Sequence, residues 1–105
     1  MHEKDIQIAR ILKEKLSSIV PLLDFRVFGS RARGDTDQYS DLDIFIEVPR
    51  IDHALKETIS DAAWEVGFEH FMVISVLIFT KNELKNSPLR SSPIVKNIMR
   101  EGVLV

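Results

Sequence analysis

The chain predicts a small α/β (or α+β) fold: a short sheet covered by helices on at least one face. Three observations carry that expectation. The first twenty residues hold apolar side chains at helical spacing. Residues 42–48 carry an apolar side chain at every even position, as a half-buried strand does. Residues 71–79 are an almost unbroken apolar run rich in β-branched and aromatic members, which reads as a buried strand.

Taken in order, Ile8, Ile11, Leu12, Leu16 and Ile19 form one stripe and predict a helix over about 3–19, ended before Pro21. A short strand follows at 25–28 and runs into Gly29-Ser30. Residues 29–40 are rich in turn formers and read as a loop with one helical turn. In the next strand Leu42, Ile44, Ile46 and Val48 face the core, while Asp41, Asp43 and Glu47 share the other face. Asp52 is placed to cap a second helix whose stripe is Leu55, Ile59, Ala62, Ala63 and Val66, with Gly67 as its stop. Thr80-Lys81-Asn82-Glu83 has the form of a capping box for one helical turn. Ser92-Pro93 opens a last helix that ends at Gly102, and residues 103–105 add a short final strand. Trp64, Phe68 and Phe71 are expected in the core, and Ser75 as a small buried hydroxyl.

At 105 residues the chain reads as one domain, 1–105, long enough to bury a core without staples. The absence of cysteine excludes a disulfide framework, a thiolate metal site and a cysteine nucleophile. A net charge of −2 argues against an extended nucleic-acid surface. No apolar run approaches a membrane span and no signal-peptide core is visible, so a cytoplasmic protein is expected. Charge is unevenly spread: residues 51–80 carry five acids against one lysine, and residues 81–105 carry five basic residues against two acids.

The chemistry concentrates in Gly29-Ser30-Arg31-Ala32-Arg33-Gly34 and in Ser40-Asp41-Leu42-Asp43. Positions two apart on an extended chain point the same way, so Asp41 and Asp43 can converge on one point. Two neighbouring carboxylates repel unless a cation lies between them, and hard oxygen ligands suit Mg²⁺, which typically takes one or two carboxylates and leaves the rest of its shell to phosphates and water. The Gly-Ser turn offers backbone N–H groups and a hydroxyl to phosphate oxygens, and Arg31 and Arg33 stand nearby, with ion pairing to Asp35 or Asp37 as their alternative role. Other motifs fail on specifics. Asp35 stands where a P-loop needs its lysine, Ser40 replaces the glycine of a calcium loop, and His2, His53 and His70 have no ligand spacing.

Gly29-Ser30-x-Ala32-Arg33-Gly34 followed by Ser40-Asp41-x-Asp43 resembles the signature of the DNA polymerase beta-like nucleotidyltransferase superfamily, in particular its smallest branch, the minimal nucleotidyltransferase domains. The resemblance implies a small mixed β-sheet with helices on one face. It implies one or two Mg²⁺ ions on Asp41 and Asp43, which would be the catalytic residues, and an NTP, with ATP favoured, whose phosphates lie on Gly29 and Ser30. Arg33 would support the loop or the phosphates, and Ser40 would orient the loop. The implied reaction is transfer of an NMP to a hydroxyl. The small domains of this family commonly pair with a HEPN-type protein in a toxin–antitoxin-like module; a homo-oligomer is also open. The chain departs from the pattern at the third acid, which the family supplies from the neighbouring strand. Here that strand offers only Ser75, expected opposite the Asp pair, so a binding module that neutralises its partner by contact stands beside the enzyme reading.

Overall fold

The computed structural model describes residues 1–35 and 39–105. In chain order its elements are α1 (Glu3–Ser17), β1 (Asp24–Phe28), α2 (Gly29–Arg33), β2 (Leu42–Val48), α3 (His53–Glu69), β3 (Ile74–Thr80), α4 (Lys81–Asn86), a 3-10 turn at Pro88–Ser91, α5 (Pro93–Glu101) and β4 (Val103–Leu104). The sheet is mixed, with strand order β3-β2-β1-β4. β1 runs antiparallel to both β2 and β4, while β2 and β3 are parallel. A parallel neighbour requires a crossover, and α3 is that crossover.

The alternation in β2 divides the sheet into two faces. Leu42, Ile44, Ile46 and Val48 are fully buried under α1 and α3, which contribute Ile8, Leu12 and Leu16, and Ile59, Ala62, Ala63 and Val66. The opposite face carries Asp43, Phe45 and Glu47, paired in register with Phe28, Arg26 and Asp24 on β1 and with Ser75, Leu77 and Phe79 on β3. Phe45 is buried on this face and its ring lies 5.7 Å from that of Phe79. α5 sits beside the same face at β1, where Arg26 donates to the Met99 carbonyl. The local signals at the helix starts are all used. Asp52 accepts from the Leu55 N–H, Thr80 and Glu83 close a capping box, and Ser92 caps α5 ahead of Pro93.

Three expectations need correction. Gly67 does not stop α3, which continues to Glu69. The left-handed residue that ends the helix is Phe71, at φ 55°, and the Met72 N–H returns to the Gly67 carbonyl at 2.8 Å. Gly67 serves packing instead: a Cβ there would lie 2.3 Å from the Met72 carbonyl oxygen. The strand placed at 71–79 begins only at Ile74, because the chain needs Phe71 to Val73 to turn from α3 into β3. Trp64, Phe68 and Phe71 are not core. They are 67%, 70% and 96% exposed, since Trp64 and Phe68 occupy the helical face opposite the Ile59–Ala62–Val66 stripe.

Candidate functional site

β1 leads directly into the site. Phe28 is extended, and the next residue, Gly29, turns the chain at φ 75° to begin α2. Glycine is demanded here for two reasons. A side chain would be strained at that φ, and a Cβ would lie 2.4 Å from the Asp43 Oδ2. The Asp43 carboxylate thus lies against the backbone of the Gly29-Ser30 turn, as the pairing of Phe28 with Asp43 requires. Gly34, at φ 82°, closes α2, with the Asp35 N–H bonded to the Ser30 carbonyl at 3.0 Å. The loop read at 29–40 therefore begins as a helix over Gly29–Arg33. Asp37, offered as an ion-pair partner of the arginines, lies outside the described residues.

The two arginines of α2 have separate tasks. Arg31 is buried, 6% exposed, and does not face the site as a phosphate ligand. Its Nη1 donates to both carboxylate oxygens of Asp5 at 3.0 and 3.1 Å, and its Nε donates to the Ser40 carbonyl at 2.7 Å. Asp5 itself is 1% exposed in the first turn of α1. One guanidinium therefore ties α1, α2 and the residue preceding Asp41 into a single unit. This is the positioning pair that motif reading misses. The signal for it is a carboxylate at position 5, on the same stripe as Ile8, Leu12 and Leu16. Arg33 is half-exposed, with Asp35 at 3.2 Å and Glu101 of α5 at 3.7 Å. Such surface pairs contribute little, so Arg33 can exchange them for an anionic ligand at small cost.

Asp41 is exposed at the mouth of β2, and Asp43 is half-buried behind it. Burial and then the Asp41 charge push the Asp43 carboxyl above the ordinary carboxylate range, against a smaller opposing pull from Arg33. Two carboxylates in this relation fit a divalent cation, and their oxygens suit Mg²⁺ with water and phosphate completing its shell. Among the described residues no third His, Cys, Asp or Glu joins them in a metal-holding group. Ser75 lies directly across from Asp43 in the β2–β3 register, where it was expected, but it is exposed rather than buried. Glu69 is exposed at the end of α3, and Glu83 is occupied in the Thr80 capping box. Tyr39 is 81% exposed and Ser40 half-buried. A cavity of about 200 Å³ opens beside Gly29, between Phe28 and Arg33 on one side and Ile94, Asn97, Ile98 and Glu101 of α5 on the other. A groove of about 770 Å³ lies away from this turn, between α3 and the start of β3.

A glycine-rich strand-to-helix turn with an Asp pair on the adjacent strand defines the nucleotidyltransferase class of site. Residues 7–105 match the family model of the nucleotidyltransferase domain, and the chain belongs to that family. It is 35% identical over 77 residues to a Methanocaldococcus jannaschii protein that carries a protein-adenylyltransferase name, an alignment covering 70% of each chain. In fold it is similar to a solved Sulfolobus solfataricus structure described as a nucleotidyltransferase. That likeness has a TM-score of 0.53 and 22% identity, and covers 97% of this chain and 82% of that one. No helix among the described residues is long and apolar enough to cross a membrane.

Two outcomes follow from this geometry. Asp5→Ala or Arg31→Ala, each leaving a buried charge without its partner, should cost about 3–5 kcal/mol in urea denaturation. Single variants within about 1 kcal/mol of wild type would show that the pair does not brace the site. The second outcome concerns pH. The folded Asp43 holds its proton to higher pH than the unfolded chain does, so stability falls as pH rises through the window above 3.8. Asp43→Asn should therefore raise Tm at pH 7 in the absence of divalent cations. The gain should shrink as pH falls toward 4, and a lower Tm for the variant at pH 7 would contradict the repulsion.

Proposed function

We propose that the protein transfers an NMP, with AMP favoured, from an NTP to a hydroxyl on a partner protein. The observation that carries this reading is the contact of the Asp43 carboxylate with the Gly29-Ser30 turn, beside Asp41. Membership of the nucleotidyltransferase domain family supports the reaction class, and the name carried by the Methanocaldococcus jannaschii relative supports adenylyl transfer to protein.

In this reading Asp41 and Asp43 would hold Mg²⁺, which would supply positive charge to neutralise the phosphates. The Gly29 and Ser30 N–H groups and the Ser30 hydroxyl hold phosphate oxygens, and Arg33 leaves its surface pairs to join them. Ser40 sets the loop through its carbonyl bond to Arg31. The acceptor hydroxyl oxygen bonds to the α-phosphorus and gives up its proton to water, the bond to the bridging oxygen of the β-phosphate breaks, and pyrophosphate leaves. Two protein carboxylates suit one resident ion; a second would draw its ligands from the nucleotide and the acceptor. A HEPN-type protein is the proposed partner and the cytoplasm the proposed setting, with nucleotide transfer masking the partner's activity.

Ser75 favours a second reading. It stands across from Asp43 and brings no charge to draw a proton from the acceptor. A chain that binds nucleotide and neutralises its partner by contact alone would need nothing more. Intact-mass spectrometry of a co-expressed HEPN-type partner separates the two. Transfer predicts a mass increase of one nucleotide that requires Mg²⁺ and NTP and disappears in the Asp41→Ala, Asp43→Ala double variant. Neutralisation by wild type without any mass change establishes the contact reading instead. If transfer occurs, Ser75→Asp should accelerate it.

A further inference from the structure

Ile94, Asn97 and Ile98 are spaced three and four residues apart, so they share one side of α5. With Phe28, Gly29 and Arg33 they line the cavity of about 200 Å³ beside the Gly29 turn. Ile98 is buried, so this wall is anchored in the packed part of the molecule. Ile94 is 47% exposed, an apolar surface that a ligand in the cavity would cover. The position of the cavity narrows its ligand. Gly29 and Arg33 belong both to its lining and to the turn that offers N–H groups and charge to phosphates. Phe28 is paired in register with Asp43. A group bonded to a phosphate on that turn can therefore enter the cavity directly. The volume is below the ~300–1,000 Å³ of sites that enclose a whole small molecule, so the cavity takes a part of one. Phe28, Ile94 and Ile98 suit the faces of a flat ring, and Asn97 supplies a polar edge.

We propose that this cavity holds the nucleobase of the NTP and that Asn97 selects adenine. The inference rests on the nucleotide reading above, and adds where the base lies and which side chain chooses it. A side-chain amide has one acceptor oxygen with two lone pairs and two N–H donors. The Asn97 Oδ1 accepts from Arg100 Nη2 at 2.8 Å in an exposed bond, which leaves it a second lone pair. Adenine complements this amide: its exocyclic amino group donates to Oδ1 while a ring nitrogen accepts from Nδ2. Guanine presents two acceptors on the same edge, one of which would face Oδ1 without a proton between them. The placement also leaves the reaction accessible. With the nucleoside directed toward α5, the β3 side of Asp43, where Ser75 is exposed, stays open to an acceptor hydroxyl.

Calorimetry and methyl NMR on the full chain test it, with ATP, GTP and inorganic tripolyphosphate as probes and Mg²⁺ present. ATP should bind about tenfold tighter than tripolyphosphate, the increment of one stacked base. It should also bind about tenfold tighter than GTP. ATP should shift the methyl resonances of Ile94 and Ile98 through the ring current of the base, and tripolyphosphate should leave them in place. Asn97→Leu, at an exposed position, should bring ATP and GTP to within about twofold of each other and leave tripolyphosphate binding unchanged. ATP that binds no tighter than tripolyphosphate, or that leaves both methyls unmoved, overturns the base pocket while the phosphate site stands. An ATP preference that survives Asn97→Leu overturns the role of Asn97. If neither ATP nor tripolyphosphate binds, the nucleotide site itself falls and the pocket with it.

Discussion

The buried pair of Asp5 and Arg31 is the constraint on which the site depends. Arg31 gives one nitrogen to both oxygens of Asp5 and another to the Ser40 carbonyl. Through it the first turn of α1, the short helix α2 and the entrance to β2 hold one arrangement. Five residues of helix are too few to be stable alone, so α2 keeps its place through this pair and through the glycines at either end. An apolar pair of similar size could pack the same space, but it could not also fix the backbone of Ser40. The charge is retained where backbone direction matters for the next residue, Asp41.

The same region carries its own instability. Asp43 is half-buried beside Asp41, against a turn that leaves no room for a Cβ at Gly29. Repulsion between the carboxylates works against the fold, and a divalent cation would reverse its sign. The core under α1 and α3, with Leu42, Ile44 and Ile46 fully buried on the other face of β2, holds the strand in place and so keeps Asp43 beside Asp41. Strain placed at a site and offset by a rigid core is a common arrangement in proteins that bind charged ligands.

Much of this was legible in the sequence. The alternation of β2 told which side chains face the core, the residues at 52, 80 and 92 marked helix starts, and the Gly-Ser turn with Asp41 and Asp43 marked the candidate site. Ser75 was placed opposite the Asp pair through the family resemblance, as the one polar residue of the 71–79 run where the family supplies its third acid, and the β2–β3 register sets it across from Asp43. What was not legible depended on long-range partners. Arg31 and Arg33 look alike in the motif, yet one is buried against a residue 26 positions away and the other lies at the surface. The aromatic residues of α3 and Phe71 were read as core because composition rewards apolar runs. Helical spacing puts Trp64 and Phe68 opposite the Ile59–Val66 stripe, and the left-handed turn at Phe71 has no sequence signal of the kind glycine gives.

The central claim is that Asp41 and Asp43, held against the Gly29-Ser30 turn, form a cation-dependent nucleotide site. Isothermal titration calorimetry with ATP measures it directly, once with Mg²⁺ present and once with the metal chelated. Mg²⁺ should tighten ATP binding at least tenfold in wild type and have no effect in an Asp41→Asn, Asp43→Asn variant. Equal affinity with and without Mg²⁺ in the wild-type protein would contradict it.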